Sequence, residues 1–399
     1  MTSIRPSISV KPLQNEKNTT EKPVRKDLNP LAPQKESLDR VLYRVDLSPY
    51  DVGFKGGITI KDFEKLGNTY GFKTTENKDD DWAEDANIVK NDQSVIETER
   101  LGIQGGNILS VGDKNGKVKH LVGEGELSRV LGEGGGAYKV SSDKDSFKNL
   151  SKEKKKEAIE KMAKLLNVEP EAIVPIPQSK GRYIHIDGEI SGLEDGKVAM
   201  NHPKVMLEAL EKVDRNKLSR ANRIILDEHI KATKENLKKY GKEYDKTVEI
   251  LKKEGLDVAL VPGYSNVEIS KSNFKTNPVS KALYEEYSKI PIPDKEDAEE
   301  YARIYPSIEE ARYYWHMRYT AETQISFNNG ILGKTKKGKG YMITNGSKAF
   351  KDLEEAFSKS IKSQSKALQD VNFVENNVMT FGNGGIQCLT NEYADPSFL

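Results

Sequence analysis

The chain has a single cysteine, two tryptophans and five histidines in 399 residues. One cysteine excludes an internal disulfide and argues against a structural zinc site built on paired thiolates. A surplus of charge is also missing: 63 basic side chains face 62 acidic ones, so nothing in the balance calls for nucleic acid or a membrane surface. No apolar run reaches the length of a transmembrane helix, and the opening "MTSIRPSISVKPLQNEKNTT" lacks the continuous apolar core of a secretory signal. The expectation is a soluble cytoplasmic protein without nucleic-acid or membrane partners. What is present is apolar material, 36% of the chain, enough for a sizeable core in two domains or one repeated architecture.

Residues 1–40 are rich in Lys, Asn, Thr, Ser and Pro and carry no apolar period. Such a segment buries too little to offset chain entropy, so it reads as a disordered tail, or as an export signal for a route that needs no signal peptide. Beyond it, β-like runs alternate with amphipathic helices, the pattern of an α/β fold. The β-like runs are 40–47, 107–111, 172–177, 183–193, 257–263, 339–346 and 385–390. From Ser151 onward, Ala158, Ile159, Met162, Leu165 and Leu166 fall on one helical face. Residues 205–254 read as one long helix ending at Gly255, and 347–368 as another. Helix, strand and then a polar or Gly-rich loop thus recur three times, which suggests a structural repeat. The aromatic block 294–325 reads as a helical flank or lid, and "KTKKGKG" (334–340) as a hairpin tip.

Three places could carry chemistry. Cys388 stands behind the glycines of "FGNGGIQCLTNEY", where Gly385 would let a ligand approach closely; a nucleophile at a strand end and an inert buried thiol are both open. In "YIHIDGEI", His185 and Asp187 at i, i+2 would face one side of a strand, as a proton-transfer pair or as structure. In "DDDWAEDANIV", Asp79, Asp80, Asp81, Glu84 and Asp85 crowd around Trp82; the stretch is a solvated acidic loop, or Asp85 borders a packed site that wants a cation. Elsewhere "GEGELSRVLGEGGG" (123–136) has neither dinucleotide nor P-loop spacing and reads as a mobile loop. His316 reads as a packing residue, and His120, His202 and His229 have no partners at metal spacing.

Taken together, "WAED", "GGN" (105–107), "HIDGE" (185–189) and "GGIQCLTNE" (384–392), in that order, resemble the guanidine-modifying superfamily. The further runs "ELSRVLGEGGGAY" and "CLTNEYADPSFL" are most similar to the catalytic domain of protein-arginine deiminases. The resemblance covers residues 41–399 apart from a helical insertion at 264–325. It implies an α/β fold of the five-bladed propeller (pentein) kind with pseudo-fivefold symmetry. Carried over residue by residue, Cys388 matches the nucleophile, His185 the general acid and base, and Asp85 and Asp187 the carboxylates that grip the guanidinium. Trp82, Asn107 and Gly385 are expected at the substrate, with Arg100 touching its backbone or carboxylate. No cofactor is implied. The calcium-dependent members carry acidic residues just after the first aspartate, where this chain has Ala86 and Ile88, so calcium activation is not expected.

That set suits the chemistry. A guanidinium is planar and rich in donors, and two carboxylates can take its N–H groups in paired hydrogen bonds. Its resonance makes the central carbon a poor electrophile, so a thiolate is needed. The implied activity is deimination of arginine in a protein or peptide partner to citrulline, with ammonia released. Deimination of free arginine or agmatine, amidino transfer, and an arginine-binding effector without turnover stand as alternatives.

Overall fold

The structure, a computed structural model, describes residues 38–43, 65–66, 68–70, 73–76, 87–89, 95–97, 103–132, 147–178, 185–193, 196–267, 269, 274, 276–335, 339–366, 368–375 and 390–394. It is an α/β fold in which one strand pattern recurs. Ile108–Gly112 pairs antiparallel with Val118–Gly123; the chain then passes through the helices Glu124–Arg129 and Lys152–Leu166 and returns as Ile173–Ile176, parallel to Val118–Gly123. The same hairpin, helix and parallel return follow in Ile190–Gly192, Lys197–Asn201 and Asp257–Val261. They follow again in Gly330–Lys334, Gly340–Gly346 and Leu368–Glu375. A parallel neighbour needs a long crossover, and in each case the helix supplies it.

The two ends of the chain build a fourth copy. Thr390–Ala394 runs antiparallel to Leu38–Tyr43, which pairs parallel with Lys73–Glu76. Residues 38–40 therefore belong to a strand, where the sequence reading placed the end of a disordered tail; residues 1–37 lie outside the described residues. The remaining pairs, Tyr264–Asn266 with Gln324–Ser326 and Asn87–Val89 with Val95–Glu97, are two-stranded and do not repeat the pattern. Among the described residues, four three-stranded sheets carry the repeat.

Local chemistry explains the helices. Ser151 Oγ accepts from Lys154 N to open Lys152–Leu166, and Asn167 closes it in the left-handed region at φ 56°. The expected helix over 205–254 is two, Pro203–Leu210 and Arg220–Lys253. Asp214 caps a short 3-10 turn between them and Ser219 Oγ accepts from Asn222 N to start the second, while Val213 and Leu218 anchor the break in the core. The long helix spans 34 residues, about 50 Å at 1.5 Å per residue. Ala221, Ile225 and Leu226 enter the largest core, and Tyr240, Tyr244 and Leu251 enter a second one. It stops at Gly255, whose φ of +84° disfavours a side chain.

Two expectations change. Glu124–Arg129, read as part of a mobile loop, is helical, with Leu127 fully buried. The block 294–325, read as a helical flank or lid, is built into the core: Tyr313, Met317, Ala321 and Ile325 pack in the same cluster as Phe350 and Phe357. Within it, Trp315 Nε1 donates to Asp297 Oδ2 at 3.1 Å, and His316 packs between Ile290 O and Thr320 Oγ1. On either side of 336–338, which lie outside the described residues, Gly330–Lys334 pairs antiparallel with Gly340–Gly346 and Thr335 N donates to Lys339 O at 2.9 Å. No described helix is long and apolar enough to cross a membrane.

One buried histidine makes stability depend on pH. His229, on the long helix, is fully buried; Nε2 donates to Glu322 O and Nδ1 faces Ser265 Oγ, both at 2.8 Å. Burial pushes its pKa down to about 4 from 6.5. Between those values the unfolded chain holds a proton that the folded chain refuses. Its stabilisation is therefore complete above about pH 6.5 and is lost as pH falls towards 4, a span worth about 3 kcal/mol. Denaturant midpoints should fall between pH 7.5 and 4.5, and His229→Gln should reduce that fall.

Candidate active site

The site begins at a buried turn. Gly105–Asn107 forms a 3-10 turn ahead of the strand Ile108–Gly112, with Asn107 only 3% exposed. Asn107 Oδ1 accepts from Ile186 N at 3.1 Å and from Gln178 Nε2 at 2.7 Å, while its Nδ2 donates to Glu126 Oε1 at 3.1 Å. Gly106 O accepts from Asp187 N at 3.2 Å. The "GGN" turn thus grips the "HID" segment through both backbone and side chain.

This grip changes the conformation read from sequence. Residues 185–189 are not a strand. Ile186 O accepts from Glu189 N and Ile190 N at 3.0 and 2.8 Å, so the segment coils into a turn, and the strand begins only at Ile190. His185 and Asp187 therefore do not share a strand face. Each is placed by its own partner instead.

His185 is half-buried, and its Nε2 lies 2.9 Å from Gln104 Oε1. Asp187 is 1% exposed and its Oδ2 accepts from Asn329 Nδ2 at 2.8 Å. Asn329 is held in turn: its carbonyl accepts from Asn345 Nδ2 at 3.0 Å. Behind Gln104 sits a buried ion pair, Arg129 Nη1 to Glu126 Oε1 at 2.8 Å. Burial pushes the Glu126 carboxyl above its ordinary range, against the pull of Arg129, Asn107 Nδ2 and Gln104 N.

Asn107, expected at the substrate, is thus tied to Ile186, Gln178 and Glu126. Gln104, Glu126, Arg129 and Asn329 were not read as site residues. A glutamate and an arginine three apart in "GEGELSR", and the paired asparagines of "NNG" ahead of a hairpin, were the available signals. Trp82, Asp85, Arg100, Gly385 and Cys388 lie outside the described residues. Their neighbours in the chain do not: the strand Asn87–Val89, just after Asp85, lies beside Thr390–Ala394, just after Cys388. The central strand of that sheet, Leu38–Tyr43, lies near Gly330–Lys334, which directly follows Asn329. Among the described residues no group of His, Cys, Asp and Glu is arranged to hold a metal.

A close approach makes one glycine necessary. A Cβ at Gly123 would come within 2.4 Å of Gln178 Oε1 and 2.6 Å of Asn107 Oδ1. Gln178 cannot swing away cheaply, because the same Oε1 accepts from Gly125 N at 3.1 Å and its Nε2 binds Asn107. Gly123→Ala should destabilise the fold by about 1–3 kcal/mol, the cost of unmaking buried hydrogen bonds. It should also loosen the "HID" turn, and thermal unfolding together with an activity assay checks both.

Comparison with known proteins adds likenesses of shape. No family model matches the sequence, and no curated protein does. Among solved structures, the agmatine deiminase of C. jejuni is 12% identical at a TM-score of 0.44, covering 91% of this chain and 95% of that one. The substrate-bound N-terminal domain of ArgZ, an arginine dihydrolase of cyanobacteria, is 11% identical at 0.38, over 89% and 98% of the two chains. SxtG, an amidinotransferase from Microseira wollei, is 11% identical at 0.38, over 90% and 95%. Likenesses of this strength do not assign an activity.

Proposed function

We propose that this chain hydrolyses a C–N bond of a guanidinium group, with arginine side chains of proteins or peptides as substrate, and that its modules form the five-bladed propeller of the guanidine-modifying enzymes. The observation that carries the reading is a convergence. Motifs far apart in sequence, "GGN" and "HIDGE", meet through hydrogen bonds between Asn107 and Ile186 and between Gly106 and Asp187. The strands that follow "WAED" and precede the C-terminal residues also lie together.

In this reading Asp85 and Asp187 take the guanidinium N–H groups in paired, charge-assisted hydrogen bonds and fix the central carbon. Trp82, Gly385 and Arg100 line the approach of the rest of the substrate. The Cys388 thiolate attacks the carbon, forming the C–S bond. His185 gives a proton to one nitrogen, whose C–N bond breaks as ammonia leaves, and an S-alkylthiouronium remains. Water then adds to the same carbon, losing one proton to His185, and the C–S bond breaks to release the thiolate and the ureido product, which sheds the second water proton to solvent. Protein arginine as the substrate rests on "ELSRVLGEGGGAY" and "CLTNEYADPSFL".

The test is a substrate panel of an arginine-containing protein, an arginine peptide, free arginine and agmatine, with calcium and with a chelator. Citrulline on the protein and peptide, formed equally in chelator, is the expected result. Conversion of the small guanidines alone moves the substrate to that class, transfer of the amidino group to an added amine makes the chain a transferase, and no turnover of any member removes the reading.

A further inference from the structure

Three residues beside His185, Gln104, Glu126 and Arg129, bear on which of its ring nitrogens carries the proton. Arg129 Nη1 lies 3.1 Å from Gln104 Oε1 and 2.8 Å from Glu126 Oε1. A guanidinium has donors and no acceptor, so the Gln104 atom that faces it must be the carbonyl oxygen. The same Oε1 lies 2.9 Å from His185 Nε2. A carbonyl oxygen cannot donate, so Nε2 must.

The arrangement is itself anchored. Glu126 is fully buried and holds Arg129 from within its own helix, three residues away. Its second oxygen accepts from Gln104 N at 3.1 Å, so the glutamine is held at its backbone as well as at its side chain. Rotation of the amide would point its NH2 at the guanidinium, donor against donor, beside a buried charge.

We infer that Gln104, clamped by the Arg129–Glu126 pair, is a positioning residue that holds His185 with its proton on Nε2. The role in turnover rests on the proposed guanidine chemistry; the tautomer does not. A neutral amide at Gln104 also matters. It orients the ring without the charge that a carboxylate would place there, so it fixes direction while leaving the ring's affinity for protons to other groups.

The experiment reads the imidazole directly. Ring 15N chemical shifts of the full-length protein distinguish the two neutral tautomers. The chain has only five histidines, so the His185 signals are assigned by their loss in His185→Gln. Wild-type protein should show Nε2–H. Gln104→Leu, which removes the acceptor and keeps the Arg129–Glu126 pair, should give mixed tautomers. It should also lower kcat about 10- to 100-fold, reaching the lower end of the roughly 10²- to 10⁴-fold that proton transfer contributes, with KM moving less than about threefold. Gln104→Glu should restore the Nε2–H form and move the His185 limb of the pH–rate profile up by about one unit, the effect of an adjacent carboxylate. A wild-type ring in the Nδ1–H form overturns the inference, as does a Gln104→Leu ring identical to wild type. These signals need no turnover, so Nε2–H in a protein that converts no guanidine would sink the proposed activity and leave the positioning intact.

Discussion

Serine in place of Cys388 should leave a folded protein with no measurable turnover, a loss of about 10⁴-fold or more. The guanidinium carbon is deactivated by resonance, and the reaction needs a nucleophile that is anionic near neutral pH. A thiol beside a bound cation ionises readily, whereas a serine hydroxyl does not. A general base at His185 would not close that gap, because the alkoxide must still form against a far higher pKa. Binding should survive, since the carboxylates proposed to grip the cation are untouched. The expected pattern is therefore a kcat near zero with substrate affinity within a few fold, measured by calorimetry on the variant and by assay on both proteins. Retained turnover in the serine variant would rule out the thiol as nucleophile.

The second large effect belongs to Asp187. Its carboxylate is 1% exposed and is aimed by Asn329 Nδ2 at 2.8 Å. Asparagine has the same shape and can still accept that hydrogen bond, so Asp187→Asn removes the charge and little else. Deleting one partner of a buried, hydrogen-bonded charge pair costs about 3–5 kcal/mol, which is about two to four orders of magnitude in kcat/KM. The unliganded fold should keep its melting temperature, because asparagine preserves the shape and the hydrogen bond from Asn329. Loss of activity without loss of melting temperature separates a substrate-binding role from a structural one. Equal loss of both would make Asp187 a scaffold residue.

The contrast between these two residues marks what could be read without a structure. Helix Lys152–Leu166 was legible to within a residue or two, because a local apolar period and a capping serine define it. The helix-to-strand order was legible too, and the parallel pairing at each return strand follows from it. The turn at 185–189 was not. Alternating Ile184, Ile186 and Ile190 imitate a strand, and what coils the segment is the side chain of Asn107, 79 residues away. The same holds for Glu126, whose burial depends on Arg129, Asn107 and Gln104 meeting around it. Closure of the chain by Leu38–Tyr43 against Thr390–Ala394 is the extreme case, since no local pattern announces a pairing across the whole length. Cys388 and Asp85, outside the described residues, are proposed through motifs alone, which carry chemistry in residue type and order and say nothing of distance.

The central claim is that a cysteine attacks a guanidinium held by carboxylates and turned over by His185. Its most direct test is mass spectrometry of the intact protein, acid-quenched within milliseconds of mixing with an arginine substrate. The account predicts an adduct equal to the substrate less ammonia, located by peptide mapping on Cys388, formed before product accumulates and missing in Cys388→Ser. Turnover with no adduct at any quench time, or an adduct on another side chain, would contradict it.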